Sequence, residues 1–179
     1  MAILTLKQHH LETSDVDSFI FESDEQINFS PGQYLQFTLP HNNPDNRGIK
    51  RYFTIASAPS EGIIQITTRF AEKSSSFKKA LRSLQPGQTI QAGPPSGDFT
   101  YPNPTAPAVF IAGGIGITPY RSILVELDLK GIDAPVILLY ANRNNDIAFK
   151  ELLDQMATKH PFFKVVYAID PERIDADFI

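Results

Sequence analysis

"AVFIAGGIGITPYRSILVELDLKG", residues 108–131, is the stretch that decides how the chain is read. It begins as a run that is apolar at every position, the pattern of a strand buried on both faces rather than of one with a wet side. Gly113 and Gly114 break the run. A helical segment follows, with Thr118 as its cap, Pro119 in its first turn and Gly131 at its end. Downstream the same order repeats. "PVILLYA" is a second apolar strand, and "DIAFKELLDQMATKH" is a second helix with Phe149, Leu152, Leu153 and Met156 on one face. "FFKVVYAI" is a third strand. Apolar strands alternating with helices predict a parallel sheet covered on both sides, here βαβαβ, half of a doubly wound nucleotide-binding fold. In the usual strand order the first of these strands lies at an open edge, which calls for a partner or for more chain. We read the chain as a fragment.

Upstream the period is different. "ILTLKQHHLE", "VDSFIFES", "GQYLQFTL", "RYFTIAS", "IIQITTRF" and "QTIQAG" are short, rich in β-branched and aromatic residues, and separated by Ser-Pro-Gly at 30–32, "HNNPDNRG", "APSEG" and "QPGQ". Six such strands predict a small antiparallel barrel or sandwich. One helix interrupts them: in "SSSFKKALRSL" the residues Phe77, Ala80, Leu81 and Leu84 fall at helical spacing behind a run of capping serines. The proline-rich "TYPNPTAP" reads as a linker. The expected organisation is therefore a β domain over 1–100, a linker over 101–107 and an α/β domain over 108–179.

Composition narrows the function. The 179 residues carry a net charge of −4, which argues against non-specific nucleic-acid binding, and they contain no cysteine, which excludes disulfides, thiolate metal sites and Cys-held iron–sulfur clusters in this chain. No segment reads as a membrane span or a signal peptide, and the expected location is the cytoplasm. Neither a Ser/His/Asp set nor a metal-spaced His cluster stands out. His9 and His10 alternate faces of one strand and read as structural or exposed.

Four stretches carry chemistry. In "AGGIGITP" Gly114 and Gly116 match the first two glycines of G-x-G-x-x-G, while Pro119 takes the third place. Glycines there let backbone approach a pyrophosphate at a helix N-terminus; the alternative is a tight turn that binds nothing. In "YANRNND", Asn142 and Arg143 stand where an acid would read a ribose 2′-hydroxyl, and the first acid is Asp146. Arg143 suits a 2′-phosphate, which leans toward NADPH; otherwise it is an exposed arginine and Asp146 a plain helix cap. "KSSSFKK" offers hydroxyls and amides at a helix start, either for an anion or as ordinary capping. From Arg47 to Arg82 there are eight basic residues against two acidic ones, which points to phosphates or an acidic partner. Last, "RYFTIAS" places a cation, a ring and a hydroxyl in one strand, with Arg51 and Phe53 on the same face and Thr54 on the other.

In this order the motifs resemble the ferredoxin–NADP⁺ reductase family, over nearly the whole chain. "FSPGQYLQFTLP" is similar to that family's PGQ strand, "RYFTIAS" to its Arg-x-Tyr-Ser flavin signature, and "GPPSGDF" to its Gly-Pro-x-Gly-x-Phe loop. "GGIGITP" and "YANRNNDIAFKELL" resemble its nicotinamide-nucleotide segments. The resemblance implies an antiparallel β-barrel that binds FAD, followed by a truncated α/β domain that binds NADP or NAD. It assigns Arg51 to the flavin pyrophosphate, Phe53 to the isoalloxazine face and Thr54 to the neighbourhood of N5, so that Phe53 and Thr54 are the expected catalytic positions. Ile66 and Thr68 join the flavin site from the next strand, and Ser75 or Ser76 holds the pyrophosphate from the helix start. Gly114, Gly116, Thr118, Asn142 and Arg143 would bind the nicotinamide nucleotide. Phe53 stands where the family often has Tyr, and Thr54 where it has Ser. The family's C-terminal section, with further strands, a Cys-Gly-Pro-type loop and a terminal aromatic region, is absent. The implied activity is transfer of a hydride from NAD(P)H to FAD and of electrons onward to a ferredoxin, a flavin or an oxygenase, with an acidic ferredoxin or flavodoxin as an expected partner. The alternative is a flavin-binding electron-transfer or regulatory subunit without its own NAD(P)H activity.

Overall fold

The computed structural model describes residues 1–175; the last four residues of the expected α/β domain, 176–179, lie outside the described residues. Six strands form one antiparallel sheet: β1 (Ala2–Leu11), β2 (Val16–Ser23), β3 (Tyr34–Thr38), β4 (Lys50–Thr54), β5 (Ile64–Arg69) and β6 (Thr89–Ala92), in the order β4-β3-β6-β1-β2-β5. Alternation decides what faces in. Leu4 pairs with Ile90, Phe19 with Ile66 and Leu35 with Phe53, and these side chains share one interior. The sheet matches the expected antiparallel β domain but is open, since no ladder joins β4 to β5 among the described residues. β4 ends at Thr54, where the next two amides turn to different strands: Ile55 donates to the Gln33 carbonyl at 2.9 Å and Ala56 to Gln65 at 2.8 Å. A gap is left between β4 and the far half of β5.

The helix α1 (Ser76–Ser83) plugs the sheet's interior with Phe77 and Leu81, both fully buried. Ser75 caps it, accepting a hydrogen bond from the Lys78 amide at 3.3 Å. Ser75→Ala should cost about 1 kcal/mol, read as a shift in the urea midpoint at unchanged slope. Behind α1, Arg82 forks onto the fully buried Asp17 at 2.9 and 3.1 Å. His9 bonds the same carboxylate at 2.7 Å and stacks on Phe19 at 4.3 Å. His10 pairs with Glu12 at 3.0 Å.

The second half is a parallel sheet in the order β7-β8-β9, with β7 (Ala108–Gly113), α2 (Thr118–Leu129), β8 (Val136–Asn142), α3 (Lys150–Lys159) and β9 (Phe163–Ile169). β7 lies at the sheet's edge, as the strand order predicts. Two expectations need correction. Residues 146–149 are not helical: Phe149 takes a left-handed conformation, φ +61°, and α3 starts only at Lys150. Among the described residues the sheet is also covered on one side only. Both crossovers step in the same direction, so right-handed connections put both helices on one face. That face packs Phe110, Leu138 and Tyr140 against Ile123, Leu124, Leu153 and Met156. On the other face Val109, Ile111, Ile137 and Val166 are exposed. The two halves have separate cores, bridged by Val16 and Ala58, which pack into the second one. The segment between them is anchored by Tyr101, whose hydroxyl bonds the Ala106 carbonyl and whose ring meets Phe110 at 5.4 Å.

Candidate functional site

The gap beside β4 gathers the residues singled out in "RYFTIAS". Arg51 and Phe53 pair across to Phe37 and Leu35, so both point toward the sheet's interior, where α1 meets them. Phe53 is half-buried, its ring 5.9 Å from those of Phe37 and Phe77. The Arg51 guanidinium lies 5.5 Å from the Phe77 ring centre, and its Nη1 donates to the carbonyls of Arg47, Gly48 and Lys50 at 3.0, 3.0 and 2.6 Å. Its Nη2 donates to Asp45 Oδ1 at 2.8 Å, and its Nε is buried with no partner among the described residues. A guanidinium pinned on one side and unsatisfied on the other is what an anionic ligand would complete.

Asp45 was not legible as a member of this group. Its carboxylate also accepts from the Ser76 amide at 3.1 Å and the Arg47 amide at 3.0 Å. Burial pushes its pKa up, but those two amides and the Arg51 guanidinium outweigh that and hold it at about 2. The two expected serines therefore do different things. Ser75 caps α1, whereas Ser76 ties the 41–45 loop to it, its hydroxyl accepting from the Asp45 amide at 2.8 Å and meeting His41 Nε2 at 3.0 Å. Lys78 does not face an anion: it is turned onto the Arg69 carbonyl at 2.7 Å, and burial lowers its pKa.

The Thr54 hydroxyl has no hydrogen-bond partner among the described residues and remains available to a ligand. Ile66 and Thr68 are buried on the interior face of β5. Their backbone groups lie in the ladder with β2, opposite Phe19 and Asp17, whereas Gln65 turns its backbone to the other edge, accepting from the Ala56 amide at 2.8 Å and donating to Ser57 Oγ at 3.0 Å.

The glycine loop lies beside the end of β5. A short 3₁₀ turn over Gly114–Ile117 runs straight into α2, so Thr118 already has helical angles and is not the cap; its hydroxyl turns back to the Ile115 carbonyl at 3.4 Å. Gly114 has φ +48°, and its carbonyl accepts from the Tyr140 hydroxyl at 3.0 Å. Burial drives that phenol's pKa well above its ordinary value. A Cβ at Gly114 would stand 3.6 Å from the Arg69 guanidinium, while Gly116 has open space around it. Arg69, paired with Asp15 at 3.1 Å, is a cation beside the loop, where the sequence had placed it only within the basic excess of 47–82. Asn142 donates to the Tyr140 carbonyl at 3.4 Å, and Arg143 is exposed with no partner among the described residues. Asp146 is not a helix cap: it accepts from the Ser14 amide and hydroxyl at 2.8 and 2.6 Å, joining the two halves.

Residues 3–101 match the oxidoreductase FAD-binding domain and residues 110–177 the oxidoreductase NAD-binding domain. The chain belongs to the ferredoxin–NADP⁺ reductase-like family. A flavohemoprotein from a Burkholderia species is 29% identical over 168 residues, 92% of this chain and 42% of that protein. Ferredoxin–NADP reductase B of Sorangium cellulosum is 32% identical over 156 residues, 85% of this chain and 59% of that protein. The chain thus spans about half the length of these relatives. The ferredoxin–NADP⁺ reductase of Plasmodium falciparum with 2′P-AMP shares the fold, with a TM-score of 0.82 over 96% of this chain and 75% of that one at 17% identity. FAD and NAD(P) are the cofactors of this family. The residues present fit a flavin nucleotide: the orphaned Arg51 Nε, the half-open Phe53 ring and the free Thr54 hydroxyl lie along one strand. Among the described residues no helix is long and apolar enough to cross a membrane, and no group of three or more His, Cys, Asp or Glu side chains is placed to hold a metal.

Proposed function

We propose that this chain, with its β domain over 1–100 and its α/β domain over 108–179 joined by 101–107, takes a hydride from NAD(P)H onto bound FAD and passes the electrons to an acceptor. The observation that carries this reading is the Arg51 guanidinium, held by four protein oxygens with its Nε left unpaired and buried. FAD supplies the redox chemistry, and the protein binds, orients and shields it. Arg51 would grip the pyrophosphate, Phe53 would pack on the ring system, and Thr54 would hydrogen-bond beside the hydride-accepting nitrogen. Ser75 and Ser76 would shape the phosphate end, with Ile66 and Thr68 lining the site from β5. Gly114 and Gly116 would let the nicotinamide pyrophosphate approach the start of α2 at Thr118, and Asn142 and Arg143 would meet the adenosine end.

The electron acceptor we propose is an acidic ferredoxin or flavodoxin, a free flavin or an oxygenase. The basic excess between Arg47 and Arg82 supports an acidic one, and cytoplasmic placement goes with such partners. The exposed apolar face of Val109, Ile111, Ile137 and Val166 favours a second reading, a flavin module that hands electrons on without using NAD(P)H itself. An anaerobic visible spectrum, taken before and after NADPH and then NADH, separates them. Bleaching supports the reductase; a yellow protein that does not bleach supports the flavin module; a colourless protein that takes up no added FAD refutes both. If Arg143 meets a 2′-phosphate, Arg143→Gln should weaken NADPH about tenfold and leave NADH unchanged, as expected for one exposed charge-assisted contact.

A further inference from the structure

One helix touches both sides of the proposed reaction. α2 begins at the glycine loop, and about one turn later, roughly 5 Å along its axis at 1.5 Å per residue, it grips the segment that follows β4. Arg121 Nη1 donates to the Ala56 carbonyl at 2.8 Å and to Glu61 Oε2 at 2.8 Å, and Nη2 donates to Glu61 Oε1 at 3.0 Å. Ser122 Oγ donates to the Ser57 carbonyl at 2.6 Å. One turn further on, Glu126 accepts from the Ser60 amide and hydroxyl at 2.9 and 3.0 Å. Glu61 in turn accepts from the Ala58 amide at 2.6 Å, which fixes its carboxylate. Arg121 is nine-tenths buried, and its guanidinium sits 5.2 Å from the Phe149 ring centre.

We infer that Arg121 is a positioning residue: with Glu61 it clamps residues 56–61 to α2 and so sets the distance between the glycine loop and the strand carrying Thr54. This rests on the flavin reading above. Ala56 lies two residues beyond Thr54 and Arg121 three beyond Thr118, so the clamp is a short covalent and hydrogen-bonded path between the two places where donor and acceptor rings would be held. Hydride transfer requires the reacting atoms at near-contact distance, and a displacement of about 1 Å costs on the order of 100-fold in rate. Of the three contacts, the bidentate pair is the one whose loss leaves a charge buried without its partner.

The test uses Arg121→Gln and Glu61→Gln, with Arg121→Lys as the conservative variant. In calorimetry without any ligand, the wild-type chain should unfold in one transition and both Gln variants in two, because the clamp is the buried ionic link among the contacts, Ser14–Asp146 included, that couple the halves; Arg121→Lys, which keeps the charge but loses the fork, should fall between them. With FAD bound, the Gln variants should keep the wild-type FAD dissociation constant within about threefold, while the limiting rate of flavin bleaching by saturating NAD(P)H falls about 10- to 100-fold. A single, unsplit transition in both Gln variants overturns the clamp. Loss of FAD affinity as large as the loss of rate, or split transitions with an unchanged rate, overturns the positioning role. If the wild-type chain takes up no FAD, the flavin reading fails, and the calorimetric comparison alone decides the clamp.

Discussion

Arg51→Ala should weaken FAD binding by about 100-fold or more, measured by titration of flavin fluorescence. Each hydrogen bond from a guanidinium to a phosphate oxygen is worth about 1.5–3 kcal/mol, so a two-bond fork accounts for roughly two factors of ten. The same substitution also strips a donor from the Arg47, Gly48 and Lys50 carbonyls and from Asp45, so some of the loss would come from loosening of the 45–50 loop. Arg51→Lys separates the two effects. It keeps the positive charge but offers a single ammonium in place of the fork, and should recover only part of the affinity. An Arg51→Ala protein that binds FAD within threefold of wild type would remove the phosphate role from this residue, and with it the main support for the site.

That Arg51 shares a face with Phe53 could be read from its strand, but what holds its guanidinium could not. The period-2 pattern puts Arg51 and Phe53 on one face, and the structure agrees. What the pattern does not carry is which loop folds over that face. Asp45 sits in "HNNPDNRG", where an acid among turn residues signals only a turn, yet the chain brings it onto Arg51 and the start of α1. The same limit explains Asp146 and Arg121. Both were visible as charged residues near helix starts, but their partners, Ser14 and Glu61, lie 132 and 60 residues away. Arg121 did leave one trace: an arginine inside the apolar stretch "ITPYRSILV" must find a buried partner. The parallel strands were legible because Leu138 and its neighbours form unbroken apolar runs. The bare face was not, since Ile137 and Val166 read the same whether a helix covers them or water does. The open seam was hidden for a related reason. A strand's composition says that it pairs, and the turn at Ile55–Ala56 decides with which neighbour.

Gly32→Ala should destabilise the chain by about 3 kcal/mol or more, with a fall in Tm of roughly 6–12 °C for a protein of this size. Gly32 closes the Ser-Pro-Gly turn with φ +96°, a conformation that an L side chain enters only at a cost of about 1–2 kcal/mol. Space makes it worse. A Cβ there would stand 2.0 Å from the Phe99 carbonyl oxygen and 3.2 Å from its carbon, and these are backbone atoms that no rotamer change can move. The neighbouring contacts resist the shift. Gln33 holds the Gly97 carbonyl at 3.1 Å, and the Tyr34 ring fills the place where a Gly97 side chain would be. Gly62→Ala is the matched control: its φ is +68°, but nothing lies within 4 Å of its Cβ position, so it bears the backbone cost alone, about 1 kcal/mol. The difference between the two variants isolates the steric contact of the 30–33 turn with the 97–99 loop. The Gln33 carbonyl also receives the Ile55 amide, so that contact supports the end of β4 one residue beyond Thr54. Equal destabilisation in the two variants would mean that the 97–99 loop yields freely and lends no support to the end of β4.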